Sequence, residues 1–101
     1  MARSPRFDSS DPLLDAPVAE RLDLHGDTAA EAAGRLRGFL TGWARRGSGR
    51  VVHIITGKGR GSAGPPVLRA LVGRLLAGEL RGLVAESALD EDDGGYKVRL
   101  R

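Results

Sequence analysis

Two short apolar segments, each ending in polar residues and glycine, constrain the fold of this chain most strongly. The first runs Arg21-Leu22-Asp23-Leu24-His25-Gly26, and the second extends from Val51 to Gly59. The segment between them has the length of one helix, so together they predict a β-α-β unit with two parallel strands. Ligands of such units bind beyond the carboxyl ends of the strands. We therefore expect Asp23, His25 and the loop Gly57-Lys58-Gly59 to lie near one another in a functional site.

The composition fits one globular domain that folds without covalent cross-links. The chain has 101 residues, which is enough for a single core. It contains no cysteine, which excludes disulfides, a thiol nucleophile and cysteine zinc sites, and we expect a cytoplasmic location. No apolar run has the length of a membrane span, and no secretory signal is visible. Aromatic residues make up 4% of the chain, so we expect no aromatic platform for stacking bases.

The charge pattern indicates a polyanionic partner. The formal net charge is +3 and the isoelectric point is about 10.2. Much of the negative charge sits in one run, Asp90-Glu91-Asp92-Asp93, so the rest of the domain is strongly basic. Lysine and arginine bind phosphates with release of counterions, and we expect DNA or RNA as the partner, with no membrane and no obligatory protein partner. A compositional bias of the source toward arginine is the alternative explanation.

The order of predicted elements is β-α-β-α-β-β. Residues 1–19 hold prolines, serines and scattered charges without periodicity, and we expect a flexible tail. Phe7, Leu13 and Leu14 could still dock on the domain. Residues 20–101 form the domain, an α/β two-layer sandwich with a four-stranded mixed sheet. The predicted strands and helices are Glu20–His25, a helix capped by Thr28 and Glu31 that ends near Arg46, Val51–Thr56, a helix from Pro66 to Gly78, Leu83–Leu89 and Tyr96–Leu100.

Strand alternation divides the sheet into two faces. Leu22, Leu24, Val52 and Ile54 suit the face that the helices cover. The opposite face is predicted to be open and to carry these side chains: Arg21, Asp23, His25, Val51, His53, Ile55, Lys97, Arg99 and Arg101. An open face with several cations and two histidines suits a phosphodiester backbone.

Asp23 and His25 are candidates for acid-base chemistry. They lie two positions apart on one strand face, about 6.6 Å along the chain, so the carboxylate could orient the imidazole. Histidine titrates near neutral pH and serves as a general base or acid. The structural alternatives are a strand-end hydrogen bond from backbone to Asp23 and a plain turn position for His25. His53 is more typical of an ordinary strand histidine.

The glycine-rich loop from Gly57 to Gly64 is the second half of the candidate site. Closely spaced glycines let backbone N–H groups converge on an anion, and Lys58 and Arg60 add positive charge. The spacing does not match a Walker A loop. Gly59-x-Gly61-x-x-Gly64 does match the dinucleotide fingerprint, although the chain is too short for a full doubly wound sheet. A surface loop without a ligand is the remaining alternative.

These motifs together resemble the small MutS-related (Smr) domain. The resemblance rests on Leu22-Asp23-Leu24-His25-Gly26, the following helix, Ile54-Ile55-Thr56-Gly57-Lys58-Gly59 and the late Gly94-Gly95, and it covers about residues 20–101. It implies a stand-alone, bacterial-type member with a fold similar to the C-terminal domain of translation initiation factor three. It also implies nucleic-acid binding and, in several members, nicking of DNA or cleavage of RNA.

The resemblance also implies roles for individual residues. Some members have arginine at the position of His25 and histidine at that of Thr56, whereas others share the arrangement found here, so one imidazole reaches the site either way. The family often continues Gly-Gly-x-Gly-Ala before the last strand, but here Gly94-Gly95 runs directly into Tyr96-Lys97-Val98.

The resulting hypothesis is a metal-independent or weakly metal-assisted endonuclease with Asp23 and His25 as catalytic residues. Phosphate binding is assigned to Thr56, Gly57, Lys58, Gly59, Arg60, Gly61, Lys97 and Arg99. No cofactor is required by the sequence, although Asp23 could hold a divalent ion. The alternatives are a non-catalytic DNA- or RNA-binding module that uses the same basic face, and a nucleotide-binding protein that uses the glycine loop.

Overall fold

The chain forms one four-stranded sheet covered on one face by two helices. The computed structural model describes residues 12–57, 64–90 and 94–101, and the side chains of residues 64 and 65 are not described. The elements, in chain order, are a 3-10 helix Leu13–Asp15, β1 Glu20–Asp23, α1 Ala29–Ala44, β2 Val51–Ile55, α2 Gly64–Ala77, a 3-10 helix Arg81–Leu83, β3 Val84–Asp90 and β4 Gly95–Leu100. The predicted β-α-β-α-β-β order and the α/β class are confirmed.

The sheet is mixed, with the strand order β1-β2-β4-β3. β1 and β2 run parallel with Asp23 opposite Ile55, whereas β4 is antiparallel to both β2 and β3. The predicted parallel β-α-β unit is therefore confirmed. Because of these directions, β1, β2 and β3 end where α1, α2 and β4 begin. We call this end of the sheet the site end.

The first helix begins where the sequence predicts. The backbone N–H of Glu31 donates to the Thr28 hydroxyl at 3.1 Å, and the Glu31 carboxylate accepts from the backbone N–H of Thr28 at 2.9 Å. This capping box satisfies two backbone donors that the first helical turn leaves unpaired. The buried side of the helix is formed by Ala32, Leu36 and Leu40, which recur at helical spacing.

The second helix begins two residues earlier than predicted, at Gly64 instead of Pro66. The prediction assumed that a proline keeps the residue before it out of the helical region. Both prolines nevertheless fit the first turn, because its N–H groups have no partner within the helix and a missing N–H costs nothing there. Leu68, Val72 and Leu76 then point from this helix into the core.

The helix-covered face of the sheet is the predicted one. Leu24, Val52 and Ile54 are fully buried there, together with Val98 and Leu100 of β4. They join the buried helix side chains in one cluster, with Phe39, Trp43 and Tyr96 at its margin. Burial of these aliphatic groups is the main stabilising contribution to the fold, at about 25 cal/mol per Å² of apolar surface.

The opposite face, which we call the underside, is not open as the alternation suggested. Leu13 and Ala16 are buried against Val51, and the Lys97 ammonium donates to the backbone carbonyl of Leu14 at 2.7 Å. The expectation of an open face is wrong because the underside also carries apolar side chains, which are stabilised by cover from the preceding segment. His53 is buried beneath it, with 1% of its surface exposed.

Candidate functional site

The turn that follows β1 brings Asp23 and His25 to the site end of the sheet, and both residues are exposed. The Asp23 carboxylate accepts a hydrogen bond from the backbone N–H of His25 at 2.9 Å. The contact therefore joins the carboxylate to the backbone of His25 and not to its imidazole. Asp23 fixes the conformation of the turn. That conformation determines the position from which the exposed His25 side chain leaves the backbone.

Arg35 fixes the same turn from the side of α1. Its guanidinium Nη1 donates to the backbone carbonyl of Asp23 at 3.1 Å and to the Asp27 carboxylate at 2.8 Å. The Asp27 side chain is 17% exposed and that of Arg35 is 50% exposed, so the ion pair is partly shielded from solvent. One arginine thus ties the end of β1 to the start of α1.

The end of β2 is tied to the turn before β4. The Gly94 carbonyl accepts from the backbone N–H groups of Thr56 and Gly57 at 2.9 and 3.0 Å. It also accepts from the Thr56 hydroxyl at 3.0 Å. Thr56 is fully buried, so its polar groups hold the two turns together and none of its surface faces a ligand. The backbone N–H groups of Thr56 and Gly57 likewise have a hydrogen-bond partner within the protein.

Gly57 turns the chain away from the sheet at the point where the glycine-rich loop starts. Its φ angle is +100°, a left-handed conformation that glycine adopts without steric cost. The Arg69 guanidinium of α2 donates to the Gly57 carbonyl at 3.4 Å. The Nε of Arg69 is buried and has no hydrogen-bond partner among the described residues. A cation from α2 thus lies against the base of the loop.

Tyr96 and Gly73 fix the position of Arg69, and Gly95 sets the distance between two neighbouring strands. The Tyr96 hydroxyl donates to the Arg69 carbonyl at 3.1 Å. A Cβ at Gly73 would lie 2.7 Å from that hydroxyl, so glycine makes room for the ring. A Cβ at Gly95 would lie 1.9 Å from the Ile54 carbonyl, and only glycine allows β4 to approach β2 this closely.

The strand ends from which the two halves of the predicted site leave are neighbours at the site end. Leu24 donates its backbone N–H to the Ile55 carbonyl at 2.8 Å, which continues the parallel pairing beyond the last pair of β1 and β2. The turn at His25 and the turn at Gly57 follow directly from these residues and leave neighbouring strands, which are about 4.8 Å apart. The predicted phosphate-binding residues Lys58, Gly59, Arg60 and Gly61 lie outside the described residues.

The two cations predicted on β4 are on the underside and are used within the protein. Lys97 binds the carbonyl of Leu14, as described above. Arg99 is 4% exposed, and its Nε donates to the Glu86 carboxylate at 2.8 Å. Burial leaves Arg99 poorly placed for direct contact with a phosphate.

The sequence motifs do not identify Arg35 and Arg69 as residues of the candidate site. Neither belongs to a motif, and each is one of two arginines on its helix. The available signal was positional: both lie within the first two turns of a helix that starts at the site end. Side chains there point back toward the helix N-terminus and hence toward the turns that precede it.

Within residues 12–57, 64–90 and 94–101, no three histidine, aspartate or glutamate side chains come together as a potential metal site. Neither α1 nor α2, as far as the structure describes them, has the length and apolar character needed to cross a bilayer.

Comparison with known proteins identifies the family. The family model of the Smr domain matches residues 22–98, which is most of the chain. Searches of curated proteins and of solved structures returned no match. The turns that end β1 and β2 both lie within the matched residues. The chain belongs to the Smr domain family, which is known for nucleic-acid binding and nicking endonuclease activity.

Proposed function

We propose that this protein is an endonuclease that hydrolyses phosphodiester bonds in DNA or structured RNA at the site end of the sheet. The observation that supports the proposal best is the parallel pairing of β1 and β2, with Asp23 opposite Ile55. That pairing brings the exposed His25 turn and the start of the glycine-rich loop to neighbouring strand ends. An acid-base group and a candidate phosphate-binding loop are thereby within reach of one substrate.

The reaction requires one proton transfer at each end of the scissile bond. A water oxygen attacks phosphorus while the bond from phosphorus to one sugar oxygen breaks, and the products are a phosphomonoester and an alcohol. His25, as a neutral imidazole, takes the proton from the attacking water, or, as an imidazolium, gives a proton to the departing oxygen. Lys58 and Arg60 stabilise the charge that develops on the phosphate oxygens.

Asp23 is a positioning residue in this proposal, because its carboxylate contacts the backbone of His25 and not the imidazole. Arg69 has a similar role at the second turn, where its guanidinium binds the Gly57 carbonyl. Both act on the geometry of the site and need not touch the substrate. Catalytic groups that are held in the correct position raise the reaction rate, because the reacting atoms must be closely aligned.

The test is a nicking assay on supercoiled plasmid, with a parallel assay on structured RNA. His25→Gln keeps a polar side chain without a titrating group, and we expect at least a 100-fold loss of cleavage with binding retained. A wild-type rate that rises with pH through the range of histidine titration would identify a general base, and a falling rate a general acid. Assays with a chelator and with added magnesium determine whether a divalent ion takes part. Full cleavage by His25→Gln would refute the assignment.

A non-catalytic binding module is the second candidate, and one observation favours it. A carboxylate that caps the backbone at the end of a strand, as Asp23 does, is a common structural device with no catalytic purpose. Salt-sensitive binding of nucleic acid by a wild-type protein that cleaves neither substrate would establish this function. Affinity for a free dinucleotide that Gly61→Val abolishes would instead establish the nucleotide-binding alternative.

A further inference from the structure

A group of arginines lies at the end of the sheet opposite to the site end. Arg45 and Arg46 follow the last residue of α1, Arg50 precedes β2, and Arg81 begins the second 3-10 helix. All of these elements meet where β2 starts and β4 ends. We call these four residues, together with Trp43, the arginine cluster.

Contacts connect Arg46 and Arg50 to Trp43, and backbone and side-chain hydrogen bonds link Arg50 to Arg81 through residues 100 and 101. The Arg46 guanidinium lies 4.3 Å from the centre of the Trp43 ring, and that of Arg50 lies 5.7 Å from it. The Arg50 carbonyl accepts from the backbone N–H of Leu100 at 2.8 Å. The next residue, Arg101, donates from Nε to the Arg81 carbonyl at 3.3 Å.

The acidic residues near this end compensate only part of the charge. Glu79 pairs with Arg37, and the hydrogen bond from that guanidinium is the main cause that lowers the pKa of the Glu79 carboxyl. Glu86 pairs with Arg99 on the underside. Glu20, at the start of β1, offsets one further positive charge. Within residues 12–57, 64–90 and 94–101, no ion pair involves Arg45, Arg46 or Arg81, so these three positive charges are not neutralised there.

The site end carries a different balance of charge. Asp90 ends β3 opposite Gly95, so its carboxylate lies at the site end, and Asp23 and Asp27 lie in the turn after β1 at the same end. Negative charge there weakens the attraction of a polyanion to the site end. Long-range attraction is therefore expected to come largely from the opposite end, where the positive charge is concentrated.

We propose that the arginine cluster is a second contact surface for the phosphate backbone of the nucleic acid that reaches the site end. From Arg50 to Gly57 the chain extends about 23 Å at the rise of a β-strand. Successive phosphates on one strand of B-DNA are about 3.4 Å apart along the axis, so about seven of them span this distance. The ring of Trp43 restrains the guanidinium groups of Arg46 and Arg50. The planar guanidinium of the exposed Arg46 matches the geometry of phosphate oxygens.

This inference rests on nucleic-acid binding but not on cleavage, and the chain contains its own reporter. Trp43 is the single tryptophan, so tryptophan emission comes from the arginine cluster alone. Binding of a 20-base-pair duplex is followed by fluorescence anisotropy over a range of salt concentrations, and Trp43 emission is recorded in the same titration. We expect the emission to change on binding and to recover when salt dissociates the complex.

Matched variants test the contact itself. Each lost phosphate contact lowers the slope of log K against log salt by about 0.9. Arg46→Gln should lower the slope by about that amount, and the triple variant Arg45→Gln, Arg46→Gln, Arg50→Gln by about two to three. Arg74→Gln, which removes one exposed charge from α2, is the control and should leave the slope unchanged.

The outcomes separate this proposal from the endonuclease. The triple variant should bind more weakly but nick bound plasmid at the wild-type maximal rate, whereas His25→Gln should keep the wild-type salt slope and Trp43 response. A wild-type slope in the triple variant would overturn the proposal, as would an equal loss in Arg74→Gln. A triple variant that loses binding only to vesicles of anionic phospholipid, and not to the duplex, would also overturn it.

Discussion

The carboxylate of Asp23 accepts a hydrogen bond from the backbone N–H of His25, two residues further along the chain, at 2.9 Å. The bond closes the turn at the end of β1 and places the imidazole-bearing residue at the site end. The first motif of the family thus has a structural meaning in this chain. Its aspartate shapes the backbone from which its histidine projects.

Two substitutions at Asp23 distinguish the role of its side chain in shaping the turn from the role of its negative charge. Asp23→Asn keeps an oxygen that accepts the His25 N–H, so the turn persists and we expect nicking within about tenfold of wild type. Asp23→Ala removes the acceptor, and a larger loss is expected because the histidine is no longer held in place. The measurement is the pH profile of plasmid nicking for both variants. If Asp23→Asn nicks plasmid as slowly as Asp23→Ala over the whole pH range, then nicking depends on the negative charge of Asp23 and not on the shape of the turn.

Gly95 should tolerate no side chain. An alanine Cβ there would lie 1.9 Å from the Ile54 carbonyl, so β2 and β4 must separate. We expect Gly95→Ala to lower the free energy of unfolding by about 3 kcal/mol or more in urea denaturation. Gly38→Ala is the control, because a Cβ at this exposed position of α1 meets nothing within 4 Å. It should raise the free energy of unfolding by about 0.5–1 kcal/mol, and equal behaviour of the two variants would contradict the close approach of the strands.

The Thr56 hydroxyl should contribute to stability through its bond to the Gly94 carbonyl. Thr56→Val keeps the size of the buried side chain but removes the donor, and we expect a loss of about 1 kcal/mol in the free energy of unfolding. Thr41→Val changes the same group on the exposed side of α1 and should have little effect. A Thr56→Val protein as stable as wild type would mean that the two backbone donors suffice to hold this turn.

The segment before β1 should contribute to stability through Leu13. This side chain is 8% exposed, and it packs with Ala16 against Val51. Leu13→Ala should lower the free energy of unfolding by about 2 kcal/mol, near the lower limit for buried leucine because the site is peripheral. Leu14→Ala is the matched control, since Leu14 is 46% exposed. Equal thermal midpoints for the two variants would indicate that the segment does not pack on the sheet in solution.

Most of the fold could be predicted because local patterns and global topology agree. Thr28 and Glu31 specify where α1 begins, and the helix connection makes β1 and β2 parallel. The underside could not be predicted from alternation. Alternation separates the two faces of a strand, but it does not reveal that a segment such as Leu13–Asp15 covers one of them.

The candidate site could be predicted only in part, for a related reason. Motifs indicate which residues gather at a strand end, but they do not specify which atom a side chain contacts. The sequence allows Asp23 either to orient the imidazole or to accept a strand-end hydrogen bond from the backbone, and the structure shows the bond to the backbone. Arg69 contributes through its place on a helix, and no motif marks it.

The segment that covers the underside has a consequence for how this protein compares with others of its family. The shared stretch begins at residue 22, and Leu13 and Ala16 precede it. The matched residues include the two turns and most of the helix-covered face, whereas the segment that covers the underside lies outside them. A fragment limited to the matched residues would expose the apolar side chains of the underside. We therefore expect such a fragment to self-associate.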